Sequence, residues 1–214
     1  MKSLSQMQPL NRKPRVLDIG CSTGNLLVYL KNLIPNIELF GGDLMKPVIE
    51  ECKNDPSLSG IDFSVMDVFN IPTKNRYDII IANAVNVYFE PDEYKEALLS
   101  IGNALNSGGW FIAYEWVFPG DREQKIIETS TGHKEGLKFH FRSEDYVKKV
   151  TSEAGFTSTD VIPFDIPIDL PKPKITGNDE DLITYTVKDP QTNRRLMFRG
   201  SLYQPWAHIV TQKH

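Results

Sequence analysis

Short apolar runs alternate along the chain with stretches whose apolar residues recur at helical spacing. The run Arg15–Ile19 is followed by a helical pattern that carries apolar residues from Leu26 to Ile34 and ends before Pro35. The same alternation predicts further strands at Ile37–Gly42, Asp62–Met66, Tyr77–Ala82, Trp110–Val117 and Thr157–Ile162. It predicts further helices at Pro47–Lys53, at Pro91–Leu105 and, from a cap at Ser143, through Ala154.

Strands that alternate with helices are typical of a doubly wound α/β fold with a largely parallel sheet. Within this pattern Ile79–Ile81 is an unbroken apolar run, as expected of a strand covered on both faces. The end of the chain differs, because Leu182–Val187 and Leu196–Thr211 are β-rich and flank a hairpin signal at Lys188–Asn193. The sequence therefore predicts one α/β domain over residues 1–214, with a β-rich insertion before the last strand.

Composition narrows the class of protein. A chain of 214 residues with 40% hydrophobic and 24% charged residues suits a single globular domain. Its formal net charge of −4, without a basic stripe, argues against DNA as a partner. Cys21 and Cys52 give no disulfide framework, and Met1–Pro14 lacks the apolar core of a signal peptide. No apolar run approaches the ~20 residues that span a bilayer. We therefore expect a cytoplasmic protein that enters no membrane, and we predict no metal site.

A glycine-rich turn joins the first predicted strand to the first helix, in the order Asp18-Ile19-Gly20-Cys21-Ser22-Thr23-Gly24-Asn25. A helix N-terminus offers free backbone N–H groups, and glycines let the backbone approach a ligand closely. A dinucleotide-binding turn carries G-x-G-x-x-G, so that a pyrophosphate can sit on the helix. Here the two glycines are four residues apart, and Ser22 stands where a middle glycine would fall. Because the Asp18 carboxylate would also repel a pyrophosphate, the turn favours a ligand with a positive charge.

At these residues the sequence resembles the class I S-adenosylmethionine-dependent methyltransferases. The resemblance covers roughly Arg15 to Ile162, plus a final strand within Leu196–Thr211. It implies a Rossmann-like, seven-stranded, mostly parallel sheet whose last strand is antiparallel, and it implies S-adenosyl-L-methionine as the cofactor. Asp43 would bind both ribose hydroxyls and Asp67 would accept from the adenine amino group. The other cofactor contacts that the resemblance implies come from Asp18, Gly20, Cys21, Ser22, Gly24, Leu44, Met45, Val68, Asn83 and Ala84.

Catalytic residues are harder to predict, because methyl transfer depends on alignment and exclusion of water and needs a base only for some acceptors. The candidate bases are His133 and His140, which lie in a polar insertion at residues 119–142. Glu115 and Tyr88 are further candidates near the carboxyl ends of the fifth and fourth strands. The alternative is that both histidines are exposed loop residues and that Tyr88 packs at a turn. Tyr114 and Glu115 alternate faces, so at most one of them points into a given pocket.

A second insertion, residues 163–195, would emerge at the sheet edge that also carries the cofactor turn. We predict that residues 15–118 form the cofactor-binding half, and that the insertions at 119–142 and 163–195 cover the acceptor site. A homodimer contact is the alternative role for the second insertion. Three aromatic residues of the closing strand would serve one of these surfaces or the core: Phe198, Tyr203 and Trp206.

The sequence thus predicts an S-adenosylmethionine-dependent methyltransferase that acts on a small molecule. Two alternatives stay open: a protein or RNA acceptor, and a binding module that holds the cofactor without catalysis. An NAD-dependent oxidoreductase is disfavoured by Asp18 and by the missing G-x-G-x-x-G pattern.

Overall fold

A computed structural model of the protein describes residues 11–129, 133–171, 184–200 and 202–214. Five parallel strands form the first part of a central sheet, and apolar side chains fill most positions of the innermost ones. These strands are β1 (Arg15–Ile19), β2 (Glu38–Asp43), β3 (Asp62–Val65), β4 (Tyr77–Asn83) and β5 (Leu105–Phe118). Two later strands complete it, β8 (Phe156–Pro163) and β12 (Trp206–Lys213).

The order of these seven strands in the sheet is β3-β2-β1-β4-β5-β12-β8. β12 is antiparallel to both of its neighbours, and the ladders that join β1 to β5 are parallel. This arrangement confirms the predicted fold class, including the antiparallel last strand. It places the carboxyl ends of β1, β2 and β4 at one edge of the sheet, which we call the carboxyl edge.

Four α-helices begin and end close to the predicted positions. The serine cap predicted at residue 143 is present, since the Ser143 hydroxyl accepts a hydrogen bond from the Tyr146 backbone N–H. A capping box at Glu90 and Glu93 begins the helix that follows β4. The helices are α1 (Asn25–Leu33), α2 (Lys46–Asn54), α3 (Pro91–Ala104) and α4 (Glu144–Glu153). Among the described residues no helix is long and apolar enough to cross a membrane.

The insertion at residues 119–142 is more regular than the sequence analysis assumed. It contains an antiparallel hairpin of β6 (Gln124–Glu128) and β7 (Leu137–Ser143). β7 also pairs with the end of β5, with Val117 opposite Arg142, and this extends the predicted seven strands to nine. The hairpin forms because alternate residues of β7 are apolar, and Phe139 and Phe141 are buried against Trp116.

A separate three-stranded antiparallel sheet lies within the β-rich end of the chain. It consists of β9 (Thr184–Lys188), β10 (Arg195–Arg199) and β11 (Leu202–Gln204). The hairpin predicted around Lys188–Asn193 is confirmed, with Lys188 opposite Arg195. Phe198 and Tyr203 belong to this small sheet, whereas Trp206 begins β12.

The two faces of the central sheet are covered to different extents. On the face packed by α3 and α4, Ile80 and Phe111 are completely buried. The opposite face packs against α1 and α2 over β1 and β2. Further across that face, Ile81 and Ile112 are only half-buried, and Ile162 is 49% exposed. An apolar surface therefore continues beyond α1 on this face of the sheet. The part of it at the carboxyl edge adjoins the candidate site.

Candidate functional site

A cavity of about 400 Å³ opens at the carboxyl edge, beside the ends of β1, β2 and β4. We call it the acidic cavity, because two of its lining residues, Asp43 and Asp67, are carboxylates and none of the described lining residues is Lys or Arg. Its lining consists of Ile19, Gly20, Ser22, Asp43, Leu44, Met66, Asp67, Val68, Phe69, Asn83, Ala84, Val85, Tyr88 and Phe89.

The glycine-rich turn forms one wall of the acidic cavity, and its backbone is left-handed at three positions. Gly20, Ser22 and Gly24 have φ angles of 74°, 46° and 77°. At Gly20 a side chain is also excluded by space, because an added Cβ would lie 2.4 Å from Val85 Cγ2. The Gly20 N–H donates to the carbonyl of Gly42, which fixes the turn against β2. Gly24 then caps α1.

Asp43 is held at the end of β2 by backbone donors on both sides. Its Oδ2 accepts from the Ser22 N–H at 3.0 Å, and its Oδ1 accepts from the Met45 N–H at 2.9 Å. Each carboxylate oxygen has a second lone pair, so this fixed carboxylate can still accept from two adjacent hydroxyl groups of a ligand. Asp67 is fixed in a similar way, since its Oδ1 accepts from the Phe69 N–H at 3.0 Å.

Asp18 is the most unusual acid at this edge of the sheet. It is 2% exposed at the end of β1, and its Oδ1 has no hydrogen-bond partner among the described residues. Burial, together with the nearby negative charge of Asp43, raises the pKa of this carboxyl to about 7. A cation bound beside it would remove this penalty, whereas a phosphate would increase it. The charges here therefore match a positively charged ligand.

The structure brings together eight of the twelve predicted cofactor contacts in the lining of the acidic cavity: Gly20, Ser22, Asp43, Leu44, Asp67, Val68, Asn83 and Ala84. The lining also contains apolar residues that sequence reasoning did not select, among them Met66, Phe69 and Phe89.

The other four predicted contacts lie outside that lining. Asp18 is buried near the end of β1, two residues before Gly20 in the sequence, and Gly24 is the N-cap of α1. Met45 contributes its backbone N–H to Asp43, while its side chain is 57% exposed. The Cys21 thiol is buried and points at the Ser22 carbonyl; burial raises its pKa to about 12, so it stays protonated.

Of the four candidate bases, Tyr88 lines the acidic cavity, where its ring also packs against Phe139. Glu115 is completely buried on the sheet face that packs against α3. His140 lies on β7, with Nε2 3.4 Å from a Glu90 carboxylate oxygen. His133 is exposed in the hairpin turn. The last three therefore do not line this cavity.

A second cavity of about 400 Å³ lies on the α1 face of the sheet. We call it the aromatic cavity; its lining is Leu26, Ile81, Asn83, Ile112, Ala113, Tyr114, Phe164 and His208. Asn83 lines both cavities. Sequence reasoning missed His208, because this residue lies inside an apolar closing strand and reaches the site only through its register opposite Tyr114.

Comparison with known proteins bears on the same part of the chain. Residues 16–109 match the family model described as a methyltransferase domain. This similarity agrees with the predicted class I methyltransferase family, and it covers 94 of the chain's 214 residues. Within the matched range lie the glycine-rich turn and every strand whose carboxyl end borders the acidic cavity.

Curated relatives of this domain carry the name carboxy-S-adenosyl-L-methionine synthase. The protein from Campylobacter jejuni is 30% identical over 136 residues, which is 62% of this chain and 57% of the relative. The protein from Campylobacter concisus is 28% identical over 138 residues, or 63% of this chain and 58% of the relative. The chain thus spans a little over half the length of the curated relatives it matches.

Solved structures share the methyltransferase fold over nearly the whole chain. A SAM-dependent methyltransferase from Methanosarcina mazei aligns with a TM-score of 0.63 and 14% identity, covering 95% of this chain and 94% of the other. The 1,6-didemethyltoxoflavin-N1-methyltransferase of Burkholderia thailandensis, solved with its acceptor and S-adenosylhomocysteine, aligns with a TM-score of 0.59 and 17% identity. That alignment covers 94% of this chain and 72% of the other. At these identities the likeness shows the fold alone.

Proposed function

We propose that this protein transfers a methyl group from S-adenosylmethionine to a small-molecule acceptor. The observation that carries the proposal is the acidic cavity together with the buried Asp18 carboxylate at the end of β1, whose Oδ1 has no hydrogen-bond partner among the described residues. A sulfonium cation and an α-ammonium group are the ligand charges that such a site favours. The proposed cytoplasmic location and a homodimer contact remain predictions.

The residues present fit this cofactor group by group. Asp43 would accept from the two ribose hydroxyls while its backbone donors hold it in place. Asp67 would accept from the adenine amino group, and Leu44, Val68 and Phe69 would contact the faces of the ring. Asp18 would stabilise the positive end of the molecule. When bound, the cofactor supplies an electrophilic methyl group, and the chain supplies alignment and exclusion of water.

A small acceptor is supported by the shape of the site. Both cavities are concave and of a volume that suits a small ligand. The protein of similar fold from Burkholderia thailandensis was solved with 1,6-didemethyltoxoflavin bound. The charge of −4, which disfavours nucleic acid, agrees with the same conclusion.

The names of the curated relatives suggest a second function, the synthesis of carboxy-S-adenosylmethionine. That product carries a carboxylate on the methyl group, so its site would need a cationic partner beside the sulfonium. In the described part of the chain, neither cavity is lined by Lys or Arg. The charges therefore favour methyl transfer to a neutral acceptor over this alternative.

Isothermal titration of the full chain tests the cofactor assignment. We expect S-adenosylmethionine and S-adenosylhomocysteine to bind at micromolar concentration and Asp43→Ala to weaken binding at least 100-fold. Asp62→Ala is the matched control, because the Asp62 side chain is 70% exposed and lies outside the cavity. Binding of NADH without binding of either adenosyl compound would refute the proposal. Mass spectrometry of products then separates the two reactions, since methyl transfer yields S-adenosylhomocysteine and the alternative yields a carboxylated cofactor.

A further inference from the structure

Three rings stand side by side at one end of the aromatic cavity. Tyr114 and Phe164 meet edge to face with centroids 5.2 Å apart, and His208 lies 5.1 Å from Tyr114 and 5.7 Å from Phe164. Trp206 stacks on Tyr114, with ring centroids 4.3 Å apart and an interplanar angle of 5°. This stacking fixes the Tyr114 ring, so the three cavity rings form a rigid aromatic wall.

The rest of the aromatic cavity is apolar and uncharged. Leu26, Ile81 and Ile112 form its floor and side, and the lining residues include no Asp, Glu, Lys or Arg. The polar groups that line it are the Asn83 amide, the Tyr114 hydroxyl and the His208 imidazole. Such a cavity favours a neutral planar molecule that stacks on rings and offers one polar edge.

The aromatic cavity and the acidic cavity share one lining residue, which could contact a ligand in either cavity. Asn83 ends β4 and lines each of them. The next residue, Ala84, is held in a left-handed conformation (φ 57°) and its N–H donates to the Tyr114 carbonyl. The backbone at the junction is thus tied to the strand that carries the aromatic wall.

We propose that the aromatic cavity is the acceptor pocket, that it takes a neutral aromatic or heteroaromatic molecule with an O–H or N–H group, and that the His208 imidazole receives that proton. This inference rests on the proposed function. In the reaction, the acceptor oxygen or nitrogen forms a bond to the methyl carbon as the methyl–sulfur bond breaks, and the electron pair of that bond stays on sulfur. The acceptor proton passes to the neutral imidazole nitrogen and from there to water.

The surroundings of His208 suit a base. Burial lowers the pKa of its imidazole, so the ring is neutral at pH 7 and can accept a proton. On β5 it faces Tyr114, whose hydroxyl stays protonated because burial raises its pKa. On β8 it faces Ile162, and the nearest acid on that face of the strand, Asp160, lies opposite Val210. No described charged group therefore contacts the ring directly.

Binding of small planar probes tests the pocket without knowledge of the natural acceptor. Phenol, indole and benzimidazole are added in turn to the full chain saturated with S-adenosylhomocysteine, and saturation-transfer NMR reports contact. We expect at least one probe to bind. The Ile112→Trp substitution, which fills the aromatic cavity, should weaken the affinity for that probe at least tenfold. The matched control is Ile127→Trp, because Ile127 is a strand residue that is 59% exposed on β6, outside the cavity. Unfolding temperature and S-adenosylhomocysteine affinity check that both variants fold.

The His208 imidazole gives a direct second readout. Its ring proton signal, assigned by its loss in His208→Gln, should shift when the probe binds, while the signal of exposed His214 stays unchanged. Its pKa, read from the same signal, should lie below 6.5. Failure of all three probes to bind, or a His208 pKa that is not below 6.5, would overturn this inference while S-adenosylhomocysteine binding still supports the proposed function. Failure to bind S-adenosylhomocysteine would instead refute the proposed function itself.

Discussion

The Asn86 side-chain amide donates a 2.6 Å hydrogen bond to the completely buried carboxylate of Glu115. Arg142, which is 4% exposed, lies on the other side of that carboxylate, with Nη1 3.7 Å from Oε2. Its Nη2 donates to the Phe89 carbonyl at 2.6 Å, and its guanidinium lies 3.9 Å from the centroid of the Tyr94 ring. This network ties the segment after β4, which borders the acidic cavity, to β5 and to the hairpin.

Glu115→Ala should therefore destabilise the protein strongly. The substitution leaves the Arg142 charge and the Asn86 amide buried without their partner, which costs about 3–5 kcal/mol of unfolding free energy. Urea denaturation followed by circular dichroism measures this. Glu50→Ala is the control, because the Glu50–Lys53 pair is exposed and its loss should cost less than about 0.5 kcal/mol. Equal losses in the two variants would contradict a structural role for the network.

Asp18→Asn should raise the stability of the ligand-free protein at high pH and leave it almost unchanged at low pH. The pKa of Asp18 is about 7 in the folded state against an ordinary value of 3.8. The folded state therefore holds the proton more tightly, and wild-type stability falls as pH rises from about 4 to 7, by at most about 1.4 kcal/mol per pH unit. Calorimetric melting of both proteins at pH 4.5 and pH 8 measures the difference. A difference in stability between variant and wild type that has the same size at pH 4.5 and pH 8 would contradict the raised pKa of Asp18.

Asp78 should show the opposite pH dependence. Burial alone would raise its pKa, but hydrogen bonds from Arg12, the Arg15 N–H and Asn106 together hold that pKa below its ordinary value. Its stabilising contribution is thus present above about pH 4 and is lost as the pH falls further. We expect Asp78→Asn to cost about 2 kcal/mol at pH 7, since Arg12 is 42% exposed and partly screened. In urea denaturation the stability difference from wild type should shrink as the pH falls below 4; a difference of the same size at pH 7 and pH 3 would indicate a packing effect instead.

Gly20→Ala should impair both stability and cofactor binding, whereas Gly60→Ala should affect stability alone. Both glycines have a positive φ, so each substitution costs about 1–2 kcal/mol of backbone strain. Only at Gly20 does the added Cβ also meet another side chain, Val85 Cγ2 at 2.4 Å; no atom lies within 4 Å at Gly60. Titration with S-adenosylhomocysteine should show at least a tenfold loss in Gly20→Ala and none in Gly60→Ala. Similar affinities in the two variants would show that the turn tolerates a displaced Val85.

The parallel half of the fold was predictable because its signals are local. Apolar runs such as Ile79–Ile81, the cap at Ser143 and the glycine-rich turn each act within a few residues of sequence. The acids that border the acidic cavity could be selected because each follows a predicted strand at a position where the resemblance to methyltransferases implies a cofactor contact. The β6–β7 hairpin was missed although Leu137, Phe139 and Phe141 alternate with polar residues, because the segment as a whole is polar.

The aromatic cavity could not be predicted, because it depends on register between distant strands. His208 meets Tyr114 only when β12 pairs antiparallel with β5, and Phe164 arrives from the end of β8. The burial of Glu115 likewise depends on Asn86 and Arg142, which come from a turn and from the hairpin. Hydrophobic periodicity says nothing about such long-range pairings.

The position of Asn83 has an energetic consequence for how the two cavities bind their ligands. A side chain that lines two cavities cannot adopt one orientation for the first occupant and an unrelated one for the second. If a molecule in the acidic cavity changes the affinity of the aromatic cavity for its ligand by some factor, the ligand in the aromatic cavity changes the affinity of the acidic cavity by the same factor. The two binding equilibria are therefore reciprocally linked, and titrating one ligand in the presence of the other measures that linkage from either direction.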